Sequence, residues 1–210
     1  MTTTGHAASS RPCRAPTEAG VWPALHELLL AELRAADRLD LDRCAVDGSH
    51  VRALKGGTTS VRRRSTAGVP GSKHHLICDA GGIPLAVTLT GGNRNDITQL
   101  IPLVDAVPPI RGRRGRPRRK PRELFADRGY DHDKYRRLLR ARGITPRFAR
   151  RGTVHGSGLG RHRWVVERGF AWLHAFKRLR TRYEHRADLH LGLLQLACTL
   201  TCYRQLPESL

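Results

Sequence analysis

The chain has 210 residues, with 38 Lys and Arg against 18 Asp and Glu and a formal charge of +20. That length accommodates one domain with a proper core. A charge this one-sided points to nucleic acid, whose phosphates release counterions when neutralised, rather than to small acidic molecules. No apolar run approaches the roughly 20 residues of a membrane span, and no secretory pattern opens the chain. Five cysteines without a Cys-x-x-Cys pair argue against a zinc site or a disulfide framework. The expected location is the cytoplasm, with no membrane partner.

Residues 1–20 are polar and small and read as a disordered tail, ahead of one domain over 21–206. From Trp22 to Leu39, the stripe Leu25, Leu28, Leu29, Leu33 and Ala36 predicts a helix, with Pro23 in its first turn. Leu41 to Val46 reads as a short strand ending at Asp47. Residues 52–70 lack a period and contain Gly56-Gly57 and Arg62-Arg63-Arg64, which predicts a mobile basic loop. His74–Asp79 and Ile83–Thr90, joined by Ala80-Gly81-Gly82, predict a hairpin. Pro84 places the second run at an edge or a strand start.

Asp96 is expected to cap a helix from Ile97 to about Val107, stopped by Pro108-Pro109. A second basic loop covers 108–121. Seven of the ten residues from Arg111 to Lys120 are basic, and glycine and proline there predict a solvated arm. Glu123–Ala126 leads as a strand into Asp127. Asp131–Arg142 reads as a helix capped by Asp131 and ended by Gly143. Ile144–Ala149 is a further strand, and a glycine-rich loop, 152–160, precedes a long helix from about Arg163 to Arg182. Leu189–Tyr203 is a last, apolar helix. The order suits an α/β domain, a mixed sheet with helices on both faces.

Three acids stand out by their surroundings. Asp47 and Asp127 follow apolar runs at strand ends, although Asp47-Gly48 equally suits a turn. Glu167 lies on a helix among Trp164, Val165, Val166 and Phe170, with Arg163 one turn before it and Arg168 beside it. Two strand-end carboxylates and one helical carboxylate can hold two divalent cations, an arrangement suited to in-line attack at a phosphodiester. His74 and His75 are adjacent on a strand and point to opposite faces, so hydrogen bonding suits them better than one shared metal. Expected DNA contacts are Lys73, His75, Asn93, Asn95, Arg128, Arg163, Arg168, Lys177 and Arg178, with the two arginine-rich loops adding phosphate contacts. Trp164 and Trp172 read as core.

The stretch Gly71–Leu85, continued through Leu89–Asp96, together with Ala126–Asp131 and the spacing from Arg163 to Glu167, resembles the DDE transposases of bacterial insertion sequences. The resemblance covers about Trp22 to Leu206. It implies an RNase H-like mixed sheet flanked by helices, with Asp47, Asp127 and Glu167 as both catalytic acids and metal ligands. It also implies two Mg2+ ions (with Mn2+ able to substitute), DNA as partner in the form of terminal inverted repeats and target DNA, and a homodimer on that DNA. The family's signature helix has a tyrosine where this chain has Gly160 and a lysine where it has His174, with Lys177 one turn on. The segment 58–70 also differs from the family's, and the roughly 20 residues before Trp22 are fewer than relatives carry, as in a truncated copy or one frame of a two-frame gene. Two other readings stand beside this one: an inactive remnant that binds DNA, and a non-enzymatic nucleic-acid binder using the two basic loops.

Overall fold

The computed structural model describes residues 20–57, 59, 61–62, 70–152 and 160–207, without the side chains of 61, 62 and 160–163. The expected tail and most of the glycine-rich loop before the signature helix lie outside the described residues. Seven strands form one mixed sheet: β1 (Arg43–Ala53), β2 (Val61–Arg62), β3 (Pro70–Cys78), β4 (Pro84–Gly91), β5 (Glu123–Ala126), β6 (Thr145–Phe148) and β7 (Thr181–Arg182). The helices are α1 (Val21–Ala35), α2 (Leu100–Asp105), α3 (Asp133–Ala141), α4 (Gly160–His174), α5 (Lys177–Arg180) and α6 (Ala187–Arg204).

β1 is central. It pairs in parallel with β5, which pairs in parallel with β6, and antiparallel with β3, which pairs antiparallel with β4. The order β4-β3-β1-β5-β6, with helices on both faces, is the RNase H-like arrangement that the resemblance implied. One face buries Cys44, Val46, Ile77, Leu85 and Leu124 against α1, α2 and α3. The other buries Ala45, Leu76, Cys78 and Phe125 against Val165, Val166, Phe170 and Leu173 of α4 and Leu194 and Cys198 of α6. All four described cysteines are free and buried. No helix among the described residues is long and apolar enough to cross a membrane.

Four expectations need correction. The strand before Asp47 does not end there, because β1 runs on to Ala53 with Gly48 opposite His75 and His50 opposite Lys73. Gly48 is needed in that strand rather than in a turn: a Cβ would stand 2.8 Å from Asp96 Oδ1. Half of the described residues of the first basic loop are strand, at 52–53, 61–62 and 70. The segment after Asp96 starts as a 3-10 turn over Asp96–Gln99, and its cap is Asn95, whose Oδ1 accepts the Ile97 N–H. Finally, the long helix stops at His174; α5 and β7 follow, and Arg52 and Ala53 pair with Thr181 and Arg182. Arg182 is wholly buried there, donating to Ser72 Oγ at 2.7 Å and to the carbonyls of Glu184 and His185. Those acceptors offset the burial of a guanidinium.

The β3–β4 turn is fastened by Asp79. Its Oδ1 accepts the N–H groups of Gly81 and Ile83 at 2.8 and 2.7 Å, and its Oδ2 accepts that of Asp40 at 3.0 Å. Asp79→Ala strands three backbone donors, that of Ile83 fully buried, and is expected to cost about 2 kcal/mol in urea unfolding. Asp79→Asn keeps the oxygen serving Gly81 and Ile83 and is expected to cost less. Equal losses would refute the acceptor role.

His26 ties α1 to β4. Its Nε2 lies 2.9 Å from the Pro84 carbonyl, which can only accept, so Nε2 carries the hydrogen. Burial pushes the imidazole down to about 4, against a smaller opposing effect of that hydrogen bond. A lowered histidine contributes stability that is present above pH 6.5 and is lost as pH falls toward 4. Unfolding at pH 5 should therefore take about 2 kcal/mol less than at pH 8 on account of His26. In His26→Gln, which keeps a donor but does not titrate, that share of the pH slope should vanish. An unchanged slope would show that His26 is not held neutral.

Candidate active site

Asp47 and Asp127 stand on neighbouring parallel strands. Ala45 is registered with Phe125, and Asp127 keeps an extended backbone just past β5. Two residues beyond the register, Asp47 therefore lies beside Asp127, on strands about 4.8 Å apart. Ala45 and Phe125 both belong to the face under α4. The two-residue period of a strand turns Asp47 and Asp127 to that same face. The carboxyl end of parallel strands is also where open α/β sheets commonly bind ligands.

Like charges held so close repel unless a cation lies between them. Asp47 Oδ1 accepts the Gly48 N–H at 2.8 Å. Asp127 Oδ1 is buried and has no hydrogen-bond partner among the described residues. An orphaned carboxylate oxygen next to a second carboxylate fits a divalent cation. Asp131, the competing acid of this loop, is spent elsewhere. It holds the buried Arg136 Nε at 2.7 Å and accepts the Arg151 N–H at 2.8 Å. It does not cap α3, which begins after His132.

Glu167 is exposed on α4, while Val165, Val166, Phe170 and Leu173 turn to the sheet. Among the described residues, no group of three or more ligating side chains is gathered for a metal ion. The structure thus brings the two aspartates together and does not bring Glu167 to them.

Seven residues on from Glu167, on the same helical stripe, His174 packs its ring 5.9 Å from that of His74. Lys177 is off that stripe, since α4 ends at His174 and Lys177 opens α5 as an exposed residue. His74 belongs to a relay that sequence reading did not foresee. His190 Nδ1 lies 2.8 Å from Glu184 Oε2, so it carries a hydrogen, and His190 Nε2 is left to accept from His74 Nε2 at 2.9 Å. His74 Nδ1 is then an acceptor with no partner among the described residues. Burial holds His74, His174 and His190 below the usual histidine range.

The other expected contacts divide by location. Lys73 and His75 point to the face opposite the aspartates. Lys73 Nζ donates to both Asp96 oxygens at 2.9 and 3.1 Å and to the Arg94 carbonyl. His75 bonds Thr90 Oγ1 at 2.8 Å. With 7% and 1% exposure, both are enclosed rather than offered to solvent. Asn93 and Asn95 are exposed on the loop ahead of the Asp96 turn, which packs against the Arg128–Tyr130 turn following Asp127. Arg128 is half-buried in that second turn, whose Gly129 carbonyl accepts from Arg151 Nη2 at 3.0 Å.

Arg168 reaches the Gly81 carbonyl at 3.1 Å and lies 3.9 Å over the Trp164 ring, near the amino-terminal end of β1. Trp164 is exposed, not core, and Trp172 is partly buried. Arg178 is paired with Glu184 at 2.6 Å. The Arg163 side chain lies outside the described residues.

The family described as "Transposase DDE domain" matches residues 38–202. A Burkholderia cepacia protein assigned as a transposase for insertion sequence element IS402 is 61% identical over 140 residues, 67% of this chain and 66% of that protein. The chain thus matches just under two thirds of that relative's length. An uncharacterised 16.2 kDa protein of the same element is 64% identical over 39 residues, 19% of this chain and 26% of that protein. Among solved structures, the Mos1 transposase paired-end complex with left transposon end aligns over 98% of this chain and 62% of that one, at 12% identity and a TM-score of 0.44. Likeness at that level carries no weight. The match over residues 38–202, which includes both adjacent aspartates and Glu167, shows that the chain belongs to the DDE transposase family.

Proposed function

We propose that this chain is the catalytic core of an insertion-sequence transposase, cutting DNA at the transposon ends and joining those ends to target DNA. The observation that carries the reading is the pair Asp47 and Asp127, side by side on one face with an orphaned Asp127 oxygen. Family membership implies a divalent cation, and Mg2+ is the ion we propose, with Mn2+ able to substitute. Bound there, two such ions would activate the attacking water or 3′-hydroxyl and stabilise the leaving oxygen.

The residues' own parts follow from their placement. Asp47 and Asp127 hold the ions, and Glu167 is the third ligand, supplied from α4. Arg128 and Asn93, which border the two turns at the carboxyl end of β5, contact the phosphate backbone, and Lys177 and Arg178, exposed after α4, add further phosphate contacts, with Arg163 as a third from its place in the sequence. Lys73 and His75 hold the 91–96 loop through Asp96 and Thr90 instead of touching DNA. Asn95 shapes the same loop as its cap. Arg168 serves the β3–β4 turn. The protein acts as a homodimer on paired terminal repeats, in the cytoplasm where the nucleoid lies.

The test is cleavage of a labelled duplex carrying the element's own terminal repeat, with and without Mg2+. Asp47→Ala and Asp127→Ala are expected to cut at least about a thousandfold more slowly, a loss of about 4 kcal/mol of transition-state stabilisation. Duplex binding should persist in both. Glu167→Ala is expected to fall with them if α4 supplies the third ligand. Full-rate cutting by Asp127→Ala would reject the assignment.

A further inference from the structure

The second arginine-rich loop is exposed, as its composition suggests, but it is fixed to the body of the protein instead of standing free as an arm. Ile110 and Arg118 form an antiparallel bridge with N–H to carbonyl distances of 2.8 and 3.0 Å, which closes the intervening residues into a loop. Ile110 itself is wholly buried in the α1 side of the core. Gly112 has φ +93°, and a Cβ there would fall 2.0 Å from the Ala31 carbonyl of α1. The loop is therefore pressed onto that helix at a position only glycine permits. Arg34 of α1 donates to the carbonyls of Ile110 and Arg111, and Arg113 pairs with Asp37.

What this framework displays is unneutralised positive charge. Arg118 is matched by Asp42 at 2.9 Å and Arg113 by Asp37. Arg111, Arg114, Arg116 and Arg119 are exposed and have no acidic partner among the described residues. Burial and the nearby Arg118 and Arg113 guanidiniums hold Arg34 below its ordinary value, a sign of mutual repulsion within the cluster. Four of these residues, Arg111, Arg116, Arg118 and Arg119, line one cleft together with Pro109 and Lys120. Holding so many cations together costs free energy that an anion would recover.

The position separates this surface from the aspartates. Arg118 touches Asp42 and the Leu41 carbonyl, at the start of β1. Asp47 is five residues further along, about 17 Å of strand. The loop also lies against α1, across the sheet from the face that Asp47 and Asp127 share. One phosphate cannot meet both.

We infer that the 110–118 loop and Lys120 form a preorganised clamp for the phosphate backbone of duplex DNA, at a point removed from the phosphodiester being cut. The choice of DNA rests on the function proposed above; the clamp needs no metal. Because the bridge, Gly112 and Arg34 already fix the loop, little ordering is left to oppose binding. Guanidiniums suit the task, since each can grip phosphate oxygens in a two-pronged fashion.

The test uses the full chain in EDTA, with fluorescein-labelled random-sequence duplexes of about 10 and about 30 base pairs, roughly one and three helical turns. The wild-type protein is expected to bind the longer duplex more tightly per site. Arg111→Ala/Arg114→Ala/Arg116→Ala/Arg119→Ala should lose that advantage, by about tenfold or more at low salt. Its log–log salt slope should fall by about 0.9 for each phosphate contact removed. Circular dichroism and the urea midpoint check that the variant is folded.

Wild-type affinity and slope in the folded variant would overturn the clamp. So would a loss seen with duplex RNA of the same lengths but not with DNA. Because no cleavage is read, the clamp can fail while Asp127→Ala still abolishes cutting, and the reverse outcome is equally readable.

Discussion

The pairing of β1 is the constraint on which the rest of the molecule depends. Its parallel partner β5 brings Asp127 beside Asp47, and its antiparallel partner β3 brings His74 and His75 to either side of the sheet. Because a strand alternates its side chains, one slip in register would exchange the two faces. The aspartates would then point into the apolar layer of α1 and α2, where an unpaired carboxylate is costly. The same alternation sends Lys73 and His75 away from the aspartates, into a closed network with Asp96 and Thr90. Gly48 is where the two systems meet. It follows Asp47 directly, and Asp96 presses onto it from the other side.

A protein with a formal charge of +20 must place its positive charge where it does not oppose folding. Much of it is paired locally, as in Arg142 with Asp105, Arg147 with Glu123 and Arg136 with Asp131. The interior is kept neutral by a second means. Burial holds His26, His74 and His75 below the usual range, so none of them adds to the charge near neutral pH. The cations left over are concentrated at the surface, most densely on the loop clamped against α1. Fold and charge distribution therefore answer one requirement: guanidiniums gather at the surface while the buried histidines stay neutral.

The parts legible in the sequence are those set by local pattern. Leu124–Ala126 is apolar on both faces because helices cover both sides of a parallel strand, so its end at Asp127 could be read directly. The β3–β4 hairpin is marked by Gly81-Gly82, and α6 by a largely apolar run with no charged residue between His190 and Tyr203. The parts that were not legible are set by distant partners. Gly48-Ser49 has turn chemistry, yet it lies in a strand because it pairs with His75 and His74 of β3. Arg182 looks like one more surface cation on a helix, yet Ser72 and two carbonyls more than a hundred residues and a few residues away hold it inside. Lys73 and His75 look available for DNA until Asp96 is seen to fold back on them. Their types announced polar chemistry, but only the tertiary fold decided with whom.

The three acids are also held by different means. Asp47 and Asp127 are fixed by neighbouring strands whose backbone hydrogen bonds allow little relative motion. Glu167 rides on α4, which meets the sheet through side-chain packing at Val165, Val166, Phe170 and Leu173 and through the ring of His174 against His74. Packed helices can slide by an ångström or two at small cost, whereas a strand register cannot shift by less than a residue. The two strand-borne aspartates are thus held more tightly in place than Glu167 on α4. Of the three acids, Glu167 is the one whose placement depends on side-chain packing rather than on strand pairing.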